Sequence, residues 1–339
     1  MQSNIDMQSR NRQIVLMKPD FPKPKIVTAN NVEFAVYEAD GDPGRQRPPI
    51  ILIHGWPEIA YSWRNQIYAF AEAGYRTIAI DLKGFGYSSA PEDPAEYSID
   101  ILTSDIAALL DALSIEKAIF CGHDWGGSIV WSMGQWRPER TANIISVCTP
   151  LKPQPPAAPL AILQKRFTDK HYFVQFQERG TTEKLFASDI ERLFKLMFRG
   201  PAPREQWASL IPAIYDLPGR FKSGKPVKAD DLIVSAEVIE TYINAYAHSG
   251  FHGGINLYRN IDRNWELMKG RDEIIKMPSL WIGAELDLFL PPETAEGMDK
   301  IVQNLDQKII AGSGHWVTWE KPDVLNKTIV GWLEGQTFN

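Results

Sequence analysis

One stretch decides the fold: Phe120-Cys121-Gly122-His123-Asp124-Trp125-Gly126-Gly127, which joins a strand-like apolar run to the pattern Gly-x-Asp-x-Gly. A tight turn from a strand into a helix strains its central residue, and small neighbours let the backbone pass closely. A plain glycine turn whose aspartate caps the helix would have the same pattern. The position after a buried strand and before a helix favours a nucleophile elbow, with Asp124 as the nucleophile.

Short β-branched runs alternate with helical stretches on both sides of this turn. Buried strands are predicted at Ile50–Ile53, Thr77–Ile80, Lys117–Cys121, Ile144–Val147, Leu280–Ile282 and Lys308–Ile310. Helices are predicted at Ser62–Ala73, from about Ile99, at Gly127–Trp136, near Thr294–Val302 and near Val324–Leu333. Strands that are apolar on both faces and alternate with helices indicate an α/β fold with a mostly parallel central sheet flanked by helices.

The alternation stops at residue 151, where a ten-residue segment, 151–160, carries four prolines. Helical periodicity without a clear strand follows as far as about Met277, most regularly in 190–198 and 238–246. An insertion of roughly 125 residues is far longer than an ordinary connection. We therefore expect an α/β core formed by residues 1–150 and 277–339 and an inserted all-helical lid formed by residues 151–276.

Composition and charge exclude several classes of protein. Hydrophobic residues make up 44% of the 339 residues and charged residues 23%, so the chain is not disordered as a whole. A net charge of −6 gives no footprint for nucleic acid or an anionic membrane as a partner. The first twenty residues lack the apolar region of a signal peptide, and no stretch has the length of a membrane span. These features predict a cytoplasmic protein.

The two cysteines are too few for a disulfide scaffold or a cysteine-based zinc module. Cys121 and Cys148 lie in apolar, strand-like runs, and we expect both to be buried and unbridged.

An aspartate at the elbow changes the chemistry that the turn supports. Serine, the usual elbow residue, attacks acyl carbons, and its attack on a saturated carbon would leave a stable ether. A carboxylate that attacks a saturated carbon leaves an ester, which water can hydrolyse. Asp124 therefore indicates displacement at a saturated carbon, as in epoxide opening or carbon–halogen cleavage.

The other groups that such a mechanism needs follow further predicted strands. The segment His-Gly-Trp-Pro at 54–57 offers the backbone N–H of Trp56 to an oxyanion hole, and the N–H of Trp125 is a second donor. Asp287 follows the strand Leu280–Ile282, with Glu285 as a rival acid, and His315 follows the last strand. The order nucleophile, acid, histidine is typical of α/β-hydrolases. His315 would activate water, and the acid would orient its ring.

The sequence resembles the epoxide hydrolases of the α/β-hydrolase superfamily, the soluble animal and plant type, from about Val32 to Leu333. The motifs that carry the resemblance are those at 54–57 and 122–127 and Asp-Leu-Lys-Gly-Phe-Gly-Tyr-Ser at 81–88. Two further segments, 171–178 and 255–260, look like the tyrosine motifs of the family's lid. The resemblance implies that Tyr172 and Tyr258 donate hydrogen bonds to the epoxide oxygen, whereas the periodicity favours a core position for Tyr242 and Tyr246.

The resemblance implies hydrolysis of an epoxide to a vicinal diol without a metal or an organic cofactor. The expected partners are water and a small apolar epoxide, because Trp56, Trp125 and an aromatic-rich lid would surround it. A haloalkane dehalogenase shares the elbow Asp-Trp pair, but the paired tyrosines favour the epoxide. A non-catalytic receptor on the same fold is a further alternative, and the intact set of catalytic groups argues against it. The oligomeric state is open, a homodimer included.

Overall fold

The strands of residues 21–338, the part of the chain that the computed structural model describes, form one eight-stranded sheet. Its order is β1-β2-β4-β3-β5-β6-β7-β8. The strands are β1 (Lys25–Ala29), β2 (Val32–Ala39), β3 (Ile50–Ile53), β4 (Thr77–Ile80), β5 (Ala118–His123), β6 (Thr141–Val147), β7 (Ser279–Ala284) and β8 (Leu305–Ile310). The pairs β1–β2 and β2–β4 are antiparallel, and the remaining pairs are parallel. The prediction about the first twenty residues lies outside the described residues.

The α-helices of the described chain cover both faces of this sheet and fill the long segment between β6 and β7. They are α1 (Arg64–Glu72), α2 (Ile99–Ala112), α3 (Trp125–Trp136), α4 (Pro159–Phe167), α5 (Tyr172–Gln175), α6 (Thr181–Ala187), α7 (Ile190–Met197), α8 (Trp207–Tyr215), α9 (Leu217–Lys222), α10 (Ala236–Ser249), α11 (His252–Arg259), α12 (Ile261–Met268), α13 (Val317–Glu320) and α14 (Pro322–Glu334). None of these helices combines the length and the apolar character that crossing a bilayer requires.

Alternate side chains of each central strand enter two different cores. In β3, Ile51 and Ile53 pack in one apolar cluster with side chains of α2 and α3, while Ile50 and Leu52 pack with side chains of α1 and α14. Successive residues of a strand point to opposite faces, so a strand covered on both sides is apolar throughout. Burial of one such side chain contributes about 1.5–3 kcal/mol. The fold class predicted from the sequence is confirmed.

The parallel strands β3 to β8 bring their carboxyl ends to one edge of the sheet. The loops that follow β3, β5, β6, β7 and β8 therefore meet there, although they are far apart in the sequence. Active sites of open α/β sheets form at this edge.

The six predicted strands are all present, and their ends differ from the prediction by no more than three residues. The hairpin β1–β2 was missed. It turns through Asn30 and Asn31, both with positive φ, and a two-residue turn of this kind suits asparagine. The helix predicted near Thr294–Val302 is wrong. Two short 3₁₀ turns, Pro292–Ala295 and Met298–Lys300, replace it, because Gly297 between them adopts a φ of 86°.

The segment between β6 and β7 is helical from α4 to α12, apart from 3₁₀ turns and one isolated bridge between Arg199 and Leu232 among the described residues. It packs over the carboxyl edge of the sheet. The Trp316 indole N–H, for example, donates a 2.7 Å hydrogen bond to the Met197 carbonyl. Tyr242 and Tyr246 are buried, as the periodicity predicted.

Candidate active site

Asp124 occupies a strained turn between β5 and α3. Its φ of 52° and ψ of −118° lie in a region that side-chain-bearing residues rarely adopt. The flanking glycines permit the turn, since a Cβ on Gly122 would lie 2.2 Å from the Gly126 carbonyl oxygen and one on Gly126 would lie 2.0 Å from the Ile53 oxygen. Strain of this kind persists where the surrounding structure enforces it, and it projects the carboxylate from the edge of the sheet.

Two backbone N–H groups donate to the Asp124 carboxylate. The Trp56 N–H donates to Oδ1 at 2.8 Å, and the Trp125 N–H, at the start of α3, also donates to the carboxylate. Burial raises the pKa of Asp124 above its ordinary value of 3.8, while the positive charge of His315 and these two donors oppose the rise. The other carboxylate oxygen, Oδ2, is turned toward the His315 ring.

His315 lies between two carboxylates. Its Nδ1 is 2.8 Å from Oδ2 of Asp287, and its Nε2 is 3.7 Å from Oδ2 of Asp124. Burial lowers the pKa of His315, but the two carboxylates raise it to about 9. Burial alone would raise the pKa of Asp287. The charge and the hydrogen bond of His315 outweigh this effect and lower the pKa of Asp287 below its ordinary value of 3.8.

Asp287, rather than its rival Glu285, contacts the histidine. Its Oδ1 accepts hydrogen bonds from the backbone N–H groups of Phe289 and Leu290, both at 2.9 Å, which fix the orientation of the carboxylate. Glu285 is exposed and accepts a 2.8 Å hydrogen bond from the Gly312 N–H.

Tyr172 on α5 and Tyr258 on α11 face Asp124 from the helical segment. Their ring centroids are 5.6 Å apart, and the two phenols are hydrogen-bonded to each other. The Trp125 indole N–H donates to the Tyr258 oxygen. Burial raises the pKa of both phenols well above 10, and the charge of Asp124 adds to the rise in each, so both stay protonated at neutral pH.

A cavity of about 550 Å³ joins these groups. Its wall includes all of the sequence-predicted site residues except Asp287, which lies behind His315. The rest of the wall is mainly aromatic and aliphatic, with Phe167, Phe173, Trp207 and Phe289 among its side chains. A volume of this size suits a small or medium-sized organic molecule.

His123 directly precedes Asp124 in the elbow, and Glu58 lies in the loop after β3. The two side chains form a buried pair, with His123 Nδ1 2.7 Å from Glu58 Oε2. The other ring nitrogen of His123 is 2.8 Å from the His315 carbonyl oxygen. The pair thus connects the loop after β3, the elbow and the loop after β8. The nearby His54 ties the loops after β3 and β4 instead, because its Nε2 accepts from the Leu82 N–H at 3.1 Å.

The end of β6 holds a second pair that the sequence did not reveal. Thr149 donates a 2.7 Å hydrogen bond to the Asp124 carbonyl, and the Cys148 thiol lies against Asp287 and 3.6 Å from the His315 carbonyl oxygen. Cys148 has a φ of 66°, unusual for a residue with a side chain. Both cysteines are buried and free, as predicted, but Cys148 belongs to the candidate site.

One cluster of metal-ligand types occurs within residues 21–338. His123, Cys148 and His315 bring ligand atoms within 4.8 Å of one another. Both ring nitrogens of His123 and Nδ1 of His315 already have hydrogen-bond partners. These side chains therefore belong to a hydrogen-bonded network.

The chain matches known proteins along most of its length. The family profile described as the alpha/beta hydrolase fold matches residues 48–322. Epoxide hydrolase A of Mycobacterium tuberculosis is 34% identical over 318 residues, which cover 93% of this chain and 98% of that protein. The chain belongs to the epoxide hydrolase family. The crystal structure of epoxide hydrolase A from Mycobacterium thermoresistibile matches this chain with a TM-score of 0.82 and 33% sequence identity. The match covers 94% of this chain and 100% of that chain.

Bifunctional epoxide hydrolase 2 of Sus scrofa is also similar, with 37% identity over 294 residues. These residues are 86% of this chain and 52% of that protein, so the chain spans about half the length of the bifunctional relatives it matches. The family and fold expected from the resemblance are confirmed.

Proposed function

We propose that this epoxide hydrolase family member converts epoxides to vicinal diols through a covalent ester on Asp124. The observation that carries the proposal is that the backbone N–H groups of Trp56 and Trp125 donate to the Asp124 carboxylate, Trp56 to Oδ1, while Oδ2 is 3.7 Å from His315 Nε2 at the cavity wall. A carboxylate held in this way has one oxygen stabilised as a carbonyl and one oxygen free to attack.

In the first step, Asp124 Oδ2 attacks an epoxide carbon, and the carbon–oxygen bond of the ring breaks. The oxygen that leaves the carbon gains negative charge and takes a proton or a hydrogen bond from Tyr172 and Tyr258. Phenols with pKa values raised by burial are present as donors across the neutral range. The product of this step is a hydroxyalkyl ester of Asp124.

In the second step, His315 takes a proton from water, and the resulting hydroxide attacks the ester carbonyl carbon. The negative charge that develops on the carbonyl oxygen meets the N–H groups of Trp56 and Trp125, because Trp56 already donates to Oδ1 of the free carboxylate and Trp125 donates to the same carboxyl group. Asp287 stabilises the imidazolium. Collapse of the intermediate breaks the ester carbon–oxygen bond; the diol oxygen that leaves takes the proton of the new carboxyl group, so that the Asp124 carboxylate is restored. The proton held by His315 returns to the phenol that gave up its own in the first step.

We further propose that residues 151–276 act as a lid over a core formed by residues 1–150 and 277–339. The lid supplies both phenols and a large part of the cavity wall. The two phenols, Tyr172 and Tyr258, both line the cavity with Asp124, and this pair favours the epoxide over the haloalkane.

Isotope labelling tests the covalent step. A single turnover of styrene oxide in ¹⁸O-labelled water should give mostly unlabelled diol, because the new oxygen atom comes from Asp124, and the label should appear in the protein. Diol that carries the label in this first turnover would mean direct attack by water.

His315→Gln tests the division between the two steps. The variant should still form the ester. It should hydrolyse the ester about 10²–10⁴ times more slowly than the wild type, because it lacks the general base. Mass spectrometry should detect an adduct of substrate mass on the peptide that contains Asp124, and Asp124→Ala should form none. Near-normal turnover by His315→Gln would exclude His315 as the base.

A further inference from the structure

The loop that carries His315 is held at three consecutive residues. Before the histidine, the Gly314 N–H donates a 2.6 Å hydrogen bond to Oε2 of Glu320. At the histidine, the carbonyl oxygen is 2.8 Å from His123 Nε2. After it, the Trp316 N–H donates to Oε1 of Glu320 at 3.1 Å. One carboxylate therefore accepts from the residues on both sides of the proposed general base, and the two-step mechanism gives this carboxylate no role.

Glu320 has a rigid support. It is the last residue of α13, a four-residue helix that is fixed to the α/β core. The carbonyl oxygen of Thr318 in this helix accepts hydrogen bonds from two side chains of α1, Asn65 at 3.3 Å and Gln66 at 3.5 Å. The Glu320 N–H donates to the Trp316 carbonyl at 2.9 Å. A side chain supported in this way can fix the loop that it contacts.

The loop leaves room for the Glu320 carboxylate. A Cβ at Gly314 would lie 3.1 Å from Oε1 of Glu320 and 2.9 Å from the Cβ of Pro201, so the absence of a side chain lets the Gly314 N–H approach the carboxylate. Glu320 is half-buried, and burial raises its pKa above the ordinary value of 4.5. The two N–H donors and the positive charge of His315 oppose that rise. The carboxylate therefore acts on the histidine through the backbone and through its charge.

The same contact has a second reading as a helix cap. Trp316 is the N-cap residue of α13, and an acidic side chain that reaches back to the N-cap N–H resembles a capping box. A cap of this kind would stabilise the fold and would leave the relative rates of the two chemical steps unchanged. The contact with Gly314, on the other side of the histidine, lies outside such a cap.

We propose that Glu320 is a positioning residue for His315, which holds the imidazole ring in the place between Asp124 and Asp287 that ester hydrolysis requires. This inference rests on the proposed function, because it assigns Glu320 to the second step alone. The first step uses Asp124 and the two phenols and does not involve the histidine.

Glu320→Gln tests the inference with little change in shape. The amide keeps one acceptor oxygen, but its NH₂ group would face one of the two backbone N–H donors, so one hydrogen bond is lost. Stopped-flow fluorescence with styrene oxide separates the two steps. Ester formation should stay within about twofold of the wild-type rate, and ester hydrolysis should slow about 10- to 100-fold, because a small displacement of a catalytic group has effects of this size. Mass spectrometry should then detect the ester on the Asp124 peptide during turnover.

Glu285→Gln is the matched control for this variant. It makes the same change at an exposed acid that accepts a hydrogen bond from the Gly312 N–H, two residues before Gly314 in the same loop, and it should leave both steps unchanged. Glu320→Asp is the rescue variant. It keeps two acceptor oxygens on a shorter side chain and should recover part of the lost rate of ester hydrolysis. If Glu320→Gln did not fold, Glu320→Asp would carry the same comparison of the two steps.

Equal slowing of both steps in Glu320→Gln, or a loss of stability in urea with unchanged rates, would indicate a helix cap and overturn the inference. If the wild type formed no ester, the proposed function would fail instead. The ¹⁵N NMR signals of the His315 ring would then decide, because they report the 2.8 Å contact between Nδ1 and Asp287. A change of these signals in Glu320→Gln but not in Glu285→Gln would support the positioning role, and identical signals in all three proteins would refute it.

Discussion

Replacing Asp124 by asparagine tests how strongly the negative charge of Asp124 holds a proton on His315. In the free protein, the carboxylates of Asp124 and Asp287 raise the pKa of His315 to about 9 against the effect of burial. Formation of the ester would remove the Asp124 charge, and asparagine mimics that loss without a large change in shape. Because a carboxylate favours the imidazolium, its removal must lower the pKa of His315.

The size of the effect follows from the geometry. Unit charges on His315 Nε2 and Asp124 Oδ2, 3.7 Å apart, interact by about 4 kcal/mol at an effective dielectric constant of about 20. At about 1.4 kcal/mol per pH unit, this corresponds to a fall of about three pH units, from about 9 to about 6. In the ester, His315 would then be largely neutral at pH 7 and able to accept a proton from water. The second step should accordingly slow on acidification below about pH 6.

The measurement is an NMR titration of protein with ¹³C-labelled histidine side chains. The chain has six histidines, and the His315 signal is assigned by its absence in His315→Gln. Glu285→Gln is the matched control, because it replaces an exposed acid that does not contact His315 by its amide. It should leave the pKa of His315 unchanged. A shift below half a pH unit in Asp124→Asn, or an upward shift, would refute the electrostatic coupling.

Three further outcomes follow from the contacts of the site. Tyr172→Phe and Tyr258→Phe should each slow ester formation in stopped-flow experiments, and the double variant should nearly abolish it, by at least about 10²-fold; slowing of ester hydrolysis instead would contradict the donor role. Cys148→Ala and Cys121→Ala should both lower the free energy of unfolding, measured with urea, by about 1–2 kcal/mol. Only Cys148→Ala should also shift the pH dependence of ester hydrolysis, because the Cys148 thiol contacts Asp287. Gly126→Ala should destabilise the fold by about 3 kcal/mol or more, since the new Cβ would meet the Ile53 oxygen at 2.0 Å; a loss below about 1 kcal/mol would show that the elbow can relax.

Sequence alone predicted the groups that follow strands. Asp124, Asp287 and His315 each lie just beyond an apolar run, and parallel strands bring such positions to one edge of the sheet. Their contacts are therefore a consequence of the strand pattern. The two tyrosines differ, because the helical segment between β6 and β7 carries several tyrosines on helical periods. Periodicity selects residues that face a core rather than those that face a substrate.

The buried pair of Glu58 and His123 could not be derived in the same way. The two residues are 65 positions apart, and their contact depends on the direction of each side chain within its loop. A buried glutamate requires a partner, but no local sequence pattern identifies which residue that partner is. The hairpin β1–β2 did leave a signal, since Asn30-Asn31 suits a turn with positive φ at both positions.

The strand order explains why Cys148 and Thr149 belong to the candidate site although neither is an acid, a base or a nucleophile in the proposed mechanism. Strand β6 lies between β5, which ends one residue before Asp124, and β7, which ends three residues before Asp287. The first residues beyond β6 therefore touch both neighbours, Thr149 through the Asp124 carbonyl and Cys148 through Asp287 and the His315 carbonyl. A single turn at this point therefore links the proposed nucleophile, Asp124, to the proposed acid–base pair of Asp287 and His315. The positive φ of Cys148 is the conformational cost of that placement. In a sheet of this kind, residues that position the catalytic groups should therefore be sought at the end of the strand that lies between the proposed nucleophile and the proposed acid.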